Sequence, residues 1–212
     1  MNIAKRTATF IEQANDKVIV AGYGSLLSEY SRQTYSNIMG VTIDAVVHGW
    51  ERAWITRSMP EKQTYVGALP NRSHSLNAQL ICLSFDASFE AREKDYRFTE
   101  ISLAQLELEH AYQSNIHLLD VLANTPIYIC ETLQKWPANE SFPVNYSYVQ
   151  TCLMGCYESG GMARVIEFIQ RTSLWLSGNI YNDLADPKYP RASQLRDTPW
   201  DIQHLIDKHA RS

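Results

Sequence analysis

The sequence has little excess charge of either sign: 19 Lys and Arg stand against 23 Asp and Glu in 212 residues, a formal net charge of −4. No basic stripe is present that would neutralise phosphates, which argues against a nucleic-acid module. Long hydrophobic runs are missing as well. Stretches such as Lys17 to Ala21 and Gln79 to Leu83 are broken far short of the ~20 residues that a membrane-spanning helix needs, so no membrane association is expected. The amino terminus interleaves Lys5, Arg6 and Glu12 with apolar residues and shows no apolar stretch followed by a small-residue cleavage site, so no secretory signal is read. Cysteine is scarce, with 4 residues at positions 82, 130, 152 and 156. Without a signal they are expected as thiols in a reducing cytoplasm. There is no internal repeat and no low-complexity run, which excludes solenoids and propellers.

What is present suits an ordinary globular chain. Apolar residues make up 45% and charged residues 20%, enough for one sizeable core and a single domain over residues 1–212. Residues 3 to 14 put Ile3, Phe10 and Ile11 on one helical face, and Lys17 to Ala21 reads as a buried strand. Between Val41 and Phe85 the pattern is β: 42–47, 52–56, 65–69 and 78–83 are strand-like and separated by Gly, Pro, Asn and Ser clusters. A short helix is predicted over 87–94, and strands at 97–103 and 127–130. Helices are predicted at 146–158, 162–176 and 199–210, with Gly160 and Gly161 separating the first two. The fold class is therefore α+β, with a mixed, partly closed, barrel-like sheet and surrounding helices.

The sharpest local feature is the run Val18 to Leu27, a buried strand entering a Gly22-Tyr23-Gly24 turn. A dinucleotide fingerprint would need a third glycine where Leu27 stands, and helices alternating with the strands of 41–85. Neither is there. A plain turn accounts for the glycines. A turn at a strand end also offers backbone N–H groups to a carboxylate or a developing oxyanion.

The tetrapeptide Tyr23-Gly24-Ser25-Leu26 resembles the signature of the gamma-glutamylcyclotransferase-like superfamily, an apolar strand ending in Tyr-Gly-Ser. Two further blocks follow in the family's order: Val47-His-Gly-Trp-Glu-Arg52, and Phe89-Glu-Ala-Arg-Glu-Lys-Asp-Tyr96. The likeness covers roughly residues 17 to 131 and treats 144–212 as a helical extension. It implies that Glu93, with Arg92 directly before it, is the catalytic acid/base. It also implies that Tyr23, Gly24, Ser25, Leu26 and Tyr96 contact a small gamma-glutamyl substrate, and that no cofactor takes part. Asn77-Ala78 stands where the family has a glycine. Read without the resemblance, Glu90 to Asp95 is a charge run that suits a solvated helix face.

The implied reaction is physically simple. In a gamma-glutamyl compound the α-amine reaches its own γ-carbonyl through a five-membered ring. A protein then has to hold the folded conformer, move one proton and stabilise the oxyanion, giving 5-oxoproline and a released amine. Glutathione, a gamma-glutamyl amino acid or a gamma-glutamyl amine would each serve as substrate. The alternative is a non-catalytic member of the fold that binds a small carboxylate or a protein partner. Arg191, in a polar and aromatic segment between Asn182 and Arg191, is read as a carboxylate ligand beside Tyr189. Ser159-Gly160-Gly161 is read as a second anion contact. No metal site is expected, because the histidines show no ligand spacing and Cys152 and Cys156 have no second pair.

Overall fold

A computed structural model describes residues 1–84, 89, 93, 95–175, 179–192, 198 and 200–210. Helix α1 (Ile3–Gln13) starts where the Asn2 side chain accepts the Lys5 N–H at 2.8 Å, and it buries Thr7 and Phe10. Strand β1 (Val18–Gly22) follows, with Ile19, Val20 and Ala21 all buried. A strand covered on both faces needs an unbroken apolar run, which is what its sequence supplies. A 3-10 turn (Ser25–Leu27) leads into α2 (Glu29–Ser36).

The four strand-like segments between Val41 and Phe85 are halves of two long strands, β2 (Ile43–Ser58) and β3 (Gln63–Leu83), paired antiparallel as one hairpin. Their register shifts between His48 and Trp50, where Gly49 has φ +83°, and this bulge breaks the alternation that the sequence pattern relies on. Strand β4 (Tyr96–Glu100) takes the place of the strand expected at 97–103. Strand β5 (Leu106–Leu108), helices α3 (His110–Gln113) and α4 (Ile116–Asn124), and strand β6 (Ile127–Thr132) come next. The chain closes with β7 (Val144–Asn145), α5 (Tyr146–Gln170), β8 (Thr172–Ser173), β9 (Ile180–Tyr181) and α6 (Ile202–His209). The two helices predicted at 146–158 and 162–176 are the two halves of α5, which break where Gly160 and Gly161 leave helical geometry, as expected. It stops before 176 because Thr172 and Ser173 pair with Arg52 and Ala53 of β2. The helix predicted at 87–94 lies outside the described residues except for Phe89 and Glu93, whose N–H···O=C bond between Glu93 and Phe89 is 3.0 Å.

The main sheet runs in the order β4-β6-β1-β3-β2-β5, with β8 added to β2, and β1 lies parallel to β6 and antiparallel to β3. The architecture is mixed α+β as expected, and among the described residues the sheet does not close on itself. Its end strands pair inward only, β4 with β6 and β5 with β2. A single pairing of Ala68 with Glu131 brings the first half of β3 beside β6. One apolar core reaches from Phe10 through Trp54, Leu122 and Phe168 to Ile206.

Candidate active site

The turn after β1 is fixed by its own bonds: Leu27 N–H donates to Gly24 O at 2.9 Å and Ser28 N–H to Ser25 O at 3.2 Å. Ser28, not Ser25, caps the next helix, its hydroxyl accepting the Ser31 N–H at 3.2 Å. Space explains the glycines. A Cβ on Gly24 would stand 2.8 Å from the Tyr148 hydroxyl and 2.9 Å from Val66 Cγ2. A Cβ on Gly155 would meet the backbone of Leu27 and Ser28 at 2.3 to 2.5 Å, so α5 presses directly on the turn. Buried Arg52 donates from Nη1 to the carbonyl of Tyr23 at 3.1 Å. Buried Arg32 donates from Nη1 to the carbonyls of Leu26 and Leu27 at 2.5 and 2.9 Å.

A cavity of about 160 Å³ opens on this turn. Tyr23, Gly24, Ser25 and Leu26 line it together with Glu93, Tyr96 and Arg191, so these residues named from the sequence reach one cavity. Arg92 lies outside the described residues. Ser159 to Gly161 are not among the lining residues: they occupy the kink inside α5, and the Ser159 hydroxyl donates to Cys156 O at 3.1 Å. The sequence reading missed Glu61, Tyr65, Asp95 and Tyr148, which also line the wall. No local motif marks them. Tyr148 sits in the first turn of α5 among other buried residues, and only the fold turns it toward Gly24.

The ionisable groups of the wall include the buried acid Glu93, the half-buried acids Glu61 and Asp95, several phenols and the Arg191 guanidinium. Glu93 is 9% exposed. The Tyr23 hydroxyl donates to Cys130 O, and its pKa is pushed well up by burial and then by neighbouring Tyr96, Cys130 and Glu93. The Tyr96 hydroxyl donates to Val66 O at 2.8 Å, and burial followed by the Glu93 charge raises it likewise. Burial also raises Tyr148, whose ring packs against Tyr65 and Tyr189 with centroids 4.6 and 4.8 Å away. These phenols therefore stay protonated donors near neutrality. Arg191 donates from Nε to the Tyr189 hydroxyl at 3.1 Å and lies 5.2 Å from that ring's centroid, which steers its fork to the cavity rim. Such an arrangement can bind a small anionic molecule, move a proton through Glu93 and stabilise negative charge at the turn. Among the described residues no three His, Cys, Asp or Glu side chains converge as a metal site.

No protein-family model and no curated protein matches the sequence. Solved structures do match. One titled gamma-glutamyl cyclotransferase superposes on 81% of this chain and 97% of its own with a TM-score of 0.55 at 10% identity. The crystal structure of uncharacterized protein loc79017 from Homo sapiens covers 81% and 97% with a TM-score of 0.56 at 11% identity. The chain has the gamma-glutamylcyclotransferase-like fold. YkqA from Bacillus subtilis matches 70% of the chain at 14% identity and a TM-score of 0.49, and the chain spans about half, 51%, of that protein's length. No described helix of this chain is long and apolar enough to cross a membrane.

Proposed function

We propose that the protein is a gamma-glutamyl cyclotransferase, converting a gamma-glutamyl compound to 5-oxoproline and a free amine without a cofactor, with residues 1–212 acting as one domain. The observation that carries this reading is the meeting of Glu93, a buried carboxylate, with the Tyr23–Leu26 turn in one cavity. The substrate's α-ammonium gives a proton to Glu93, and the amine attacks the γ-carbonyl. A C–N bond forms, the oxyanion is received by N–H groups of the turn, and the Tyr148 hydroxyl adds a neutral donor. Collapse breaks the original amide C–N bond as Glu93 passes that proton to the leaving nitrogen, and the second proton of the attacking nitrogen follows through Glu93, so that the ring nitrogen ends neutral and the amine leaves as an ammonium. Arg191 takes a substrate carboxylate as a planar two-pronged donor, and Tyr96 holds the wall beside Glu93.

The test is 5-oxoproline release from glutathione, gamma-glutamyl-alanine and gamma-glutamyl-lysine by wild type and Glu93→Gln. Release lost in the variant, with ligand-induced thermal stabilisation retained, supports the enzyme and names its substrate. Stabilisation without release from any of the three by the wild type replaces the enzyme with a binding protein for small carboxylates.

A further inference from the structure

Two arginines inside the protein donate to backbone carbonyls of the turn, Arg52 to Tyr23 O and Arg32 to Leu26 O and Leu27 O, Arg32 donating to Gln79 Oε1 as well. Arg52 is 0% exposed, and all of its N–H donors are used. Nε donates to Thr172 Oγ1 at 2.7 Å, Nη1 to Tyr23 O and Asn77 O at 3.1 and 3.0 Å, and Nη2 to Asn77 Oδ1 and Phe168 O at 2.7 and 2.9 Å. Every acceptor is neutral, and the guanidinium carbon lies 3.7 Å from the Phe168 ring centroid. Burial pulls its pKa down to about 10, which leaves it cationic at neutral pH. Enclosing a cation among neutral acceptors costs several kcal/mol, and an apolar side chain of similar volume would spare that cost. Core stability therefore does not explain an arginine here. Its reach to the turn does.

A peptide carbonyl and the N–H of the following residue belong to one polarisable unit, so a cation at the oxygen strengthens the N–H as a donor. Arg52 at Tyr23 O acts in this way on the N–H of Gly24. Arg32 at Leu26 O acts on the N–H of Leu27, which donates to Gly24 O, the oxygen of the peptide that carries the Ser25 N–H. Arg52 thus acts directly on the Tyr23–Gly24 peptide, and Arg32 acts on the Gly24–Ser25 peptide through the Leu27 N–H, in the turn that lines the cavity.

We propose that Arg52 and Arg32 are positioning residues that make the turn an anion receptor, fixing its carbonyls inward and charging its N–H groups for the oxyanion or carboxylate they receive. The proposal rests on the reading of the turn as the oxyanion site, and it assigns a purpose to the arginine of the Gly49-Trp50-Glu51-Arg52 block and to Asn77, which accepts twice from that arginine. Neither arginine touches substrate.

Arg52→Lys and Arg32→Lys retain a cation but lose the fork that spans several oxygens. In each variant the amide hydrogen exchange of peptides covering residues 23–28, the melting temperature, and kcat and KM for 5-oxoproline release are measured. The expected result is exchange in 23–28 at least ~10-fold faster with the central strands unchanged, kcat lower by roughly 100-fold, and KM within about 3-fold. Unchanged exchange in the turn of a folded variant overturns the proposal whatever turnover does, and so does unchanged kcat. If Arg52→Lys does not fold, Arg32→Lys decides on the same measurements. If the wild type releases no 5-oxoproline, it is the enzymatic reading that fails. Exchange in 23–28 and thermal stabilisation by added 5-oxoproline then decide the positioning role: faster exchange with weaker stabilisation supports it, and no change in either overturns it.

Discussion

The Tyr148 hydroxyl lies 2.8 Å from the point at which a side chain on Gly24 would begin. Residues 124 positions apart in sequence are thus separated by no more than the room for a hydrogen atom, and Val66 Cγ2 closes the other side at 2.9 Å. Gly24→Ala has to displace the turn, the phenol or Val66. The protein is expected to fold, with 5-oxoproline release reduced by about 100-fold, since a shift of an ångström in a reacting group has that scale of effect. Steady-state kinetics beside a thermal melt separate this from a general loss of structure. Full activity in the alanine variant would show that the turn has slack the geometry does not give it.

The segment that carries Tyr189 and Arg191 is fastened by one carboxylate. Asp183, buried, accepts the Ser147 N–H at 2.8 Å, the Ser147 hydroxyl at 2.6 Å and the Lys188 N–H at 2.7 Å, while Tyr189 N–H donates to the same Ser147 hydroxyl at 3.1 Å. Asp183→Ala is expected to cost about 2 kcal/mol in urea unfolding, the scale for hydrogen bonds to a charged group. It should also raise KM more than it lowers kcat, because Arg191 binds substrate but does not move the proton. A variant with native KM would separate the fastening from the site.

Glu131 gives the stability a definite acid limb. The hydrogen bond from Arg97 at 2.5 Å, assisted by the one from Thr99 Oγ1 at 2.6 Å, holds its carboxyl below the usual 4.5. A depressed folded-state value means that the stabilisation is complete above the unfolded value and is lost as pH falls through the folded one. Wild type should therefore lose stability steeply below about pH 4.5, and Glu131→Gln should be less stable at neutral pH with a shallower decline in acid. Denaturation midpoints measured across that range check the sign. Parallel curves for the two proteins would remove Glu131 from the account.

All four cysteines are buried free thiols, and burial raises Cys82 and Cys156 to about 12. A thiol reagent at about pH 8 should therefore react slowly with the native protein and with four equivalents after unfolding. Fast native labelling at any one position would mark an opening the packed fold does not have.

The turn was legible because its signal is local, an apolar run meeting Gly22 and Gly24, whereas Glu93 was singled out only by the resemblance, since by itself it stands in a charge run that suits a solvated helix face. The strands of 41–85 were found, but the bulge at Gly49 in β2 and the polar Pro70 to Ser75 stretch in β3 made two long strands read as four. How far the sheet curls on itself was not legible, because it depends on tertiary pairings such as that of Ala68 with Glu131, which no local pattern encodes. Tyr148, Tyr65 and Asp183 were illegible for another reason. A buried tyrosine in a helix and an aspartate in a loop have the same local context wherever they point, and only tertiary packing aims them at a cavity or a helix end.

Arg52 also dictates an order of events during synthesis. Its acceptors at Tyr23 and Asn77 leave the ribosome early, but those at Phe168 and Thr172 come more than ninety residues after Asn77. A nascent chain that has completed only the β2–β3 hairpin has part of the fork unsatisfied and no Phe168 ring to cover it. The hairpin therefore has reason to stay hydrated around Arg52 until α5 arrives. The same arrival brings Tyr148 to Gly24 and Gly155 to the turn, so the inner wall of the site and the core around α5 form together.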